Sequence, residues 1–458
     1  MLLLILCILT QFTLTAGAQE AVSSEEAGPK EMHNLTIGFL GNIEFTQEQI
    51  TAAKQGKGYN LSPIFNKLQP YLDQLDYTTA FLGNPIAGSA KPIVPSAVSA
   101  PEELAAAMSK AGIKLAATAC EGCYDYGEAG LLNTISALDK YGIQHVGTAP
   151  SSKEQKDYVI EEINGVRLAF FSFTYGITKA ADYPFKAEAK PYVSLLDDNA
   201  IDYVDYNTES RISNPNPAAN PWQRIAMPKS HYLTAVSEKI EAVRKEVDFI
   251  IVMAVFPENE SFEEYQKTWA DTMVRAGADF IVANTKTQVK PFEYKVFRRP
   301  DSDKGRRTVI FSSIGNATLN MPSQEGGDAG VMFIFNIGTL GELPYVKATQ
   351  YVPLYIDKGQ ITPIYRELKF NPPEDAEKNQ RMQKITSDMA NMYLKNIEDK
   401  APKYLYTVVP YVGNSQLADD VGLYSIKIYL SLGATVVILA ALISMALQIK
   451  KLRPDSKK

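Results

Sequence analysis

Apolar runs rich in β-branched residues alternate with amphipathic helical segments along most of this chain, which restricts the fold more than any other feature. Four of these runs have the pattern of buried strands, at residues 35–41, 77–83, 113–119 and 248–255. Helical patterns begin near Pro101, Gly127, His231 and Ser261, and several stop at a glycine, the usual left-handed helix cap. The alternation predicts an α/β fold, in which ligands gather beyond the carboxyl ends of the strands.

Hairpins are predicted in the second half of the domain. Two alternating strands flank Asn164-Gly165, a strong type I′ turn signal, and a second pair at 292–299 and 307–315 flanks a polar loop. Strands at 331–338 and 348–356 then lead to the end of the domain, which we place at 34–371. Residues 182–228 are rich in Pro, Asn and Tyr, and this composition predicts a surface insertion that is either a lid or decoration.

Both ends of the chain carry apolar segments that suggest export and membrane anchoring. Residues 1–19 resemble a secretory signal peptide that lacks the usual basic start, followed by a linker at 20–33. The uncharged run 428–449 predicts a transmembrane helix at 425–449, and the basic tail 450–458 indicates a cytoplasmic C-terminus. We therefore expect a single-pass cell-membrane protein whose N-terminal domain is extracytoplasmic.

A helical stalk or linker is predicted at 372–424, between the domain and the membrane segment. Within it, one helical face carries a row of apolar residues at Met382, Ile385, Met389, Met392 and Ile397. This row is more typical of packing on the domain or on a neighbouring subunit than of cofactor binding.

Composition excludes several classes of function. The net charge is −6 and no basic stripe with interleaved aromatic residues precedes the tail, which argues against a nucleic-acid partner. The three histidines, His33, His145 and His231, are too few to build a zinc or di-metal cluster. No phosphate-loop, dinucleotide or G-x-S-x-G motif is present, so we expect no cofactor.

The order of the segments resembles the CapA-type family of poly-γ-glutamate capsule synthesis proteins over roughly residues 34–317. The most specific matches are DYG at 125–127, HVG at 145–147 and NGVRLAFFSFTYG at 164–176. Two further matches are RAGADFIVANTKTQVKPFEYK and IFSSIGNA. The resemblance implies a calcineurin-like metallophosphoesterase fold, an α/β sandwich with the layers αββα.

The metal ligands that the resemblance implies are largely replaced in this chain. The family's Gly-Asp after the first strand is Gly41-Asn42, and its Asn-Leu-Glu is Asn84-Pro85-Ile86. Its Asn-Asn-His loop becomes Cys120-Glu121-Gly122, and its His-Trp-Gly becomes Val255-Phe256-Pro257. The His-His-Pro-His run falls on residues 284–287, which offer no imidazole, and Lys286 adds a cation where the resemblance implies a metal. We therefore expect no bound metal and no catalytic residue.

The replaced positions predict a vestigial cleft, and three functions remain open for it. The cleft residues are Asn42, Asn84, Glu121, Asp125, Asn284, Lys286 and Thr287. The first hypothesis is a non-catalytic protein that binds an acidic polymer such as poly-γ-glutamate, beside other membrane proteins of a capsule synthesis complex. The second is a metal-dependent or carboxylate-based hydrolase of phosphoester or γ-glutamyl bonds, with Glu44, Glu121 and Asp125 as candidate acids or bases. The third is a scaffold for a membrane complex.

The C-x-x-C pair of Cys120 and Cys123 admits several interpretations. A metal site requires a second pair of ligands, and a thioredoxin-like site requires a helix that begins at the first cysteine. In an oxidising compartment the two thiols could instead form a disulfide across a short loop, or remain buried and reduced. The DYG stretch close behind the pair, with Asp125 and Tyr126, is a candidate cap for the following helix.

Overall fold

The structure is a computed structural model that describes residues 32–178, 192–196, 228–258, 262–285, 287–297, 306–319, 327–340, 343–357, 359–400 and 408–410. The predicted signal peptide, the transmembrane segment 425–449 and the tail 450–458 lie outside these ranges. Within them, no helix is both long and apolar enough to cross a membrane. The first strand already begins at Met32, inside the segment assigned to the linker.

Two sheets form the centre of the domain. Numbered along the chain, the strands are β1 (Met32–Ile43), β2 (Lys54–Gln55), β3 (Gly58–Tyr59), β4 (Tyr77–Leu82), β5 (Ile113–Ala117), β6 (Gln144–Val146), β7 (Thr148–Ala149), β8 (Val159–Ile163), β9 (Val166–Thr174), β10 (Tyr192–Val193), β11 (Phe249–Val255), β12 (Phe280–Asn284), β13 (Val289–Phe297), β14 (Arg306–Ile314), β15 (Ala329–Leu340), β16 (Leu343–Asp357), β17 (Gln360–Pro363) and β18 (Val408–Pro410). The first sheet has the order β17-β16-β15-β1-β4-β5-β6, with β18 beside β16. The second has the order β13-β14-β12-β11-β9-β8.

The neighbouring strands at the middle of both sheets run parallel. In the first sheet β1, β4, β5 and β6 are parallel, and in the second β9, β11, β12 and β14 are parallel. The carboxyl ends of parallel strands meet at one edge of a sheet, where ligands gather. The topology therefore brings the loops that follow these strands together.

Helices cover the outer face of each sheet, and the last two helices of the domain border the core between the sheets. They are α1 (Gln47–Ala52), α2 (Gln69–Leu72), α3 (Glu103–Ala111), α4 (Gly127–Lys140), α5 (Ser230–Val243), α6 (Glu263–Ala276), α7 (Ile364–Phe370) and α8 (Ala376–Lys400), with a 3-10 turn at Ser62–Phe65. One apolar core lies between the two sheets and joins residues such as Phe39 and Phe170. Two others lie beneath α3 and α4 on the first sheet and beneath α5 and α6 on the second. The layers are therefore αββα, as the resemblance implies.

The strand and helix predictions are largely confirmed. The four apolar runs are β1, β4, β5 and β11, and the turn between β8 and β9 has left-handed backbone at Asn164 (φ 51°) and Gly165 (φ 76°). The second predicted hairpin is the antiparallel pair β13 and β14. Helices α3 and α6 end at the left-handed glycines Gly112 and Gly277. Of the predicted insertion, the structure describes only 192–196 and residue 228, and Tyr192–Val193 pairs with Thr148–Ala149.

Helix α8 lies in the segment assigned to a stalk or linker, yet its first half packs on the sandwich. Met382, Ile385 and Met389 are buried in the core between the sheets, with Met392 against its margin. The polar face of α8 also contacts the domain, because the guanidinium of Arg381 forms an ion pair with the carboxylate of Asp328. The compact domain therefore includes residues beyond 371. The side chain of Ile397 lies outside the described part of the chain.

Candidate functional site

A cleft of about 740 Å³ opens at the carboxyl ends of the parallel strands of both sheets. The loops after β1, β4 and β5 form one wall, and the loops after β9, β11 and β12 form the other. The structure places six of the seven predicted residues in its lining, namely Asn42, Asn84, Glu121, Asp125, Asn284 and Thr287. Lys286 lies outside the described residues. Glu44, the further carboxylate of the hydrolase hypothesis, also lines the cleft.

The two walls are joined by a crossing of the chain beside Asn42. The segment after β14 leaves the second sheet and pairs with β1, since Asn42 N donates to Gly315 O (3.1 Å) and Ala317 N donates to Asn42 O (2.8 Å). A Cβ atom at Gly41 would overlap the carbonyl group of Gly315, and one at Gly330 would overlap that of Asn316. Glycine at these two positions therefore allows the backbones to approach closely.

The amide side chains of the first wall are bound within the wall. Asn84 Oδ1 accepts a hydrogen bond from Phe45 N (2.5 Å), and Asn84 Nδ2 donates to Val98 O (3.2 Å). Asn42 Nδ2 donates to Glu44 Oε2 (2.6 Å). Because Asn84 is 5% exposed, its two polar atoms are committed to holding loops in place.

The turn after β5 carries Glu121 and Asp125 into the cleft. The carbonyl oxygen of Glu121 accepts from both the backbone nitrogen (3.0 Å) and the hydroxyl (3.2 Å) of Thr178. The backbone carbonyl oxygen of Asp125 accepts a hydrogen bond from Ile93 N (2.8 Å). Within the DYG stretch that was expected to cap α4, Tyr126 is the N-cap residue, although it makes no side-chain cap bond. Backbone bonds to neighbouring loops fix this turn instead.

Cys120 and Cys123 are buried thiols at the bottom of the same turn, and the candidate disulfide is not formed in the structure. Cys123 N donates to Cys120 O (3.2 Å), which closes the turn before α4 begins. The pKa of Cys120 is raised well above its ordinary value, first by a hydrogen bond with Cys123, then by burial and nearby negative charge, including that of Glu44 and Asp125. A reactive thiol needs the opposite environment, one that stabilises the thiolate.

The opposite wall is organised by Ser313 and Glu258. The hydroxyl of Ser313 donates to Asn284 Oδ1 (3.3 Å) and accepts from the backbone nitrogen of Thr285 (3.0 Å). Glu258 Oε1 accepts from the hydroxyl of Thr287 (2.7 Å) and from its backbone nitrogen (3.1 Å). Asn284, Thr285 and Thr287 therefore hold a loop together where the resemblance implies imidazole ligands.

Glu258 and Ser313 are important wall residues that the sequence reasoning missed. Glu258 directly follows the Val255-Phe256-Pro257 segment at the end of a predicted strand, so its position was a usable signal. Ser313 lies within a strand, and its role depends on the pairing of β12 with β14. Such a cross-strand contact has no local sequence signature.

The side chains present do not fit the metal centre that the resemblance implies. Among the described residues, no group of three or more His, Cys, Asp or Glu side chains is placed to hold a metal ion. The described lining has no histidine, and both polar atoms of Asn84 are bound to backbone groups. The carboxylates Glu44, Glu121, Asp125 and Glu258 remain, without a described Lys or Arg in the lining. The described part of the cleft is therefore acidic.

Known proteins that are similar to this chain were found by comparing both sequence and structure. A family model described as bacterial capsule synthesis protein PGA_cap matches residues 36–321. The capsule biosynthesis protein CapA of Bacillus anthracis is 22% identical over 379 residues, which cover 81% of this chain and 77% of that protein. Among solved structures, the calcineurin-like phosphoesterase YfkN from Bacillus subtilis covers 78% of this chain and 98% of its own at 13% identity, with a TM-score of 0.37.

Proposed function

Because the chain belongs to the PGA_cap family of bacterial capsule synthesis proteins, we propose that it acts in capsule synthesis or export without catalysing a reaction. One observation carries the non-catalytic part of this proposal. Asn84, at a position where the family pattern supplies a metal-site residue, uses its amide oxygen and nitrogen to bind the backbone of Phe45 and Val98. A side chain held in this way supports the cleft, because its amide oxygen and nitrogen both bind the backbone of the wall.

We place the domain outside the cell, anchored by one C-terminal span. The apolar runs at 1–19 and 425–449 and the basic tail 450–458 support this arrangement. In this location the domain meets polymer that leaves the cell and other membrane proteins of the capsule complex. A chain that ends at residue 424 is expected to leave the membrane fraction when cells are fractionated. Retention of the shortened chain in the membrane would contradict the anchor.

A test of the non-catalytic role is to neutralise the cleft carboxylates singly, with Glu44→Gln, Glu121→Gln and Asp125→Asn. We expect capsule yield in cells that carry each variant to stay within about twofold of the wild type. A general acid or base contributes roughly 10²- to 10⁴-fold to a rate, so its loss would lower the yield far more. Capsule polymer is measured per cell, with a strain that lacks the protein as the baseline.

Thermal unfolding of each variant provides the control for that test. A large loss of capsule from one substitution, with the unfolding midpoint unchanged, would contradict the proposal and support the hydrolase hypothesis. Glu128→Gln is the matched control, because it removes one negative charge from α4, outside the cleft lining. It is expected to leave the yield unchanged.

Polymer binding is the second part of the proposal, and the charge of the cleft sets a condition on it. Four carboxylates in the described lining repel the carboxylates of poly-γ-glutamate. The polymer therefore needs a compensating cation. Lys286 stands in the sequence between Thr285 and Thr287, which both line the cleft, and we propose that it supplies that charge.

We expect Lys286→Glu to weaken the binding of poly-γ-glutamate by roughly tenfold, or about 1.4 kcal/mol. Lys110→Glu makes the same change of charge on the exposed surface of α3, away from the cleft, and should have little effect. Binding is measured by calorimetry with purified polymer. If the wild type does not bind polymer but co-purifies with membrane proteins of the host, the polymer proposal is wrong and the scaffold hypothesis is supported.

A further inference from the structure

Two loops of the second sheet meet at the mouth of the cleft. Strands β11 and β12 are parallel neighbours, and their last residues, Val255 and Asn284, are paired in register. Just beyond them, Phe256 N donates to Asn284 O (2.8 Å). The loops that begin there both line the cleft, one through Glu258 and the other through Thr287 and Gln288.

A single carboxylate oxygen ties the second loop to the first. Glu258 Oε1 accepts hydrogen bonds from Thr287 N (3.1 Å), Thr287 Oγ1 (2.7 Å) and Gln288 N (2.7 Å). Hydrogen bonds to an ionised carboxylate are about twice as strong as those between neutral groups. Thr287 is 2% exposed, so an unpaired donor there would carry the full cost of desolvation.

Among the described residues of this loop, a second set of hydrogen bonds lies closer to the end of β12. Thr285 is held by Ser313, since its backbone nitrogen and its hydroxyl both donate to Ser313 Oγ at 3.0 Å. Thr287 N, Thr287 Oγ1 and Gln288 N, by contrast, donate their hydrogen bonds to Glu258. Ser313 therefore fixes the start of the loop, and Glu258 fixes its far side.

We infer that Glu258 is a positioning residue that holds the Thr287–Gln288 wall of the cleft, in place of a bound metal between the two loops. The inference rests on the proposed function in one respect, the absence of a metal from this site. The carboxylate of Glu258 thus sets the shape of the ligand-facing wall, and it acts through the loop that it holds.

Hydrogen exchange of the full chain tests this role without any ligand. In Glu258→Ala the amides in the peptide 284–290 are expected to exchange at least about tenfold faster, because Thr287 N and Gln288 N lose their acceptor. Glu258→Gln keeps a side-chain carbonyl oxygen and should restore most of the protection. Peptide-level mass spectrometry gives the rates, and peptides from α6 report on the rest of the sheet.

Two control variants separate positioning from general stability. Glu263→Ala removes a carboxylate from the exposed first turn of α6 and should leave the peptide 284–290 unchanged. Ser313→Ala should expose the amide of Thr285 while Glu258 still protects Gln288. The inference is overturned if the amide exchange rate of the peptide 284–290 is unchanged in Glu258→Ala. It is also overturned if the exchange rate of the α6 peptides rises by the same factor.

The same measurement in the presence of a chelator distinguishes this inference from the proposed function. If a chelator raises exchange at 284–290 in the wild type, a metal holds the loop and the metal-free site is wrong. If the chelator has no effect and Glu258→Ala also has none, the proposed function stands and the role of Glu258 is wrong. The inference predicts no effect of the chelator and a large effect of Glu258→Ala.

Discussion

The crossing of the Gly315–Ala317 segment beside β1 is the constraint on which the cleft depends. It fastens the end of β14 in one sheet to Asn42 in the other, through hydrogen bonds of 3.1 Å and 2.8 Å. Close approach requires glycine at 41 and 330, because a Cβ atom at either would overlap a carbonyl group of the crossing segment. With the sheets joined at this end, the loops after their parallel strands converge on a single cleft.

The chemistry of the cleft follows from what those loops need to remain in place. Amides and hydroxyls stand at positions where the family pattern supplies metal ligands, and they form hydrogen bonds with the walls themselves. Asn84 ties two loops on one side, while Ser313 and Glu258 tie the loops on the other. We propose that a wall organised in this way keeps its shape without a metal, in a capsule synthesis protein that guides or assembles and does not catalyse.

Much of this architecture could be predicted from the sequence because it depends on local patterns. Apolar runs of strand length gave the central strands, and Asn164-Gly165 gave the hairpin turn, since both signals arise from neighbouring residues. The cleft positions of Asn42 and Asn84 were also predictable. Asn42 lies at the carboxyl end of β1 and Asn84 just beyond that of β4, and such strand ends share one edge.

The features that sequence reasoning missed depend on contacts between distant segments. Ser313 contacts Asn284 only because β14 lies beside β12, and Glu258 contacts Thr287 across 29 positions of the chain. The DYG stretch was expected to cap the helix and Tyr126 is its N-cap, but the backbone bonds that Asp125 accepts from a neighbouring loop had no local sequence signal. Met382 differs from these cases, because its helical row was expected to pack on the domain or a neighbouring subunit and it lies in the core between the sheets.

We propose that internal hydrogen bonds, rather than a metal, hold the cleft together. The most direct measurement combines metal analysis of the purified protein with its thermal unfolding before and after treatment with a chelator. A bound metal present at about 1,000 times its dissociation constant stabilises a fold by roughly 4 kcal/mol, a difference that unfolding readily detects. If hydrogen bonds hold the cleft, the purified protein contains far less than one metal ion per chain, and its unfolding midpoint is unchanged by the chelator. One tightly bound transition metal per chain, with a lower unfolding midpoint after chelation, would show that a metal holds it instead.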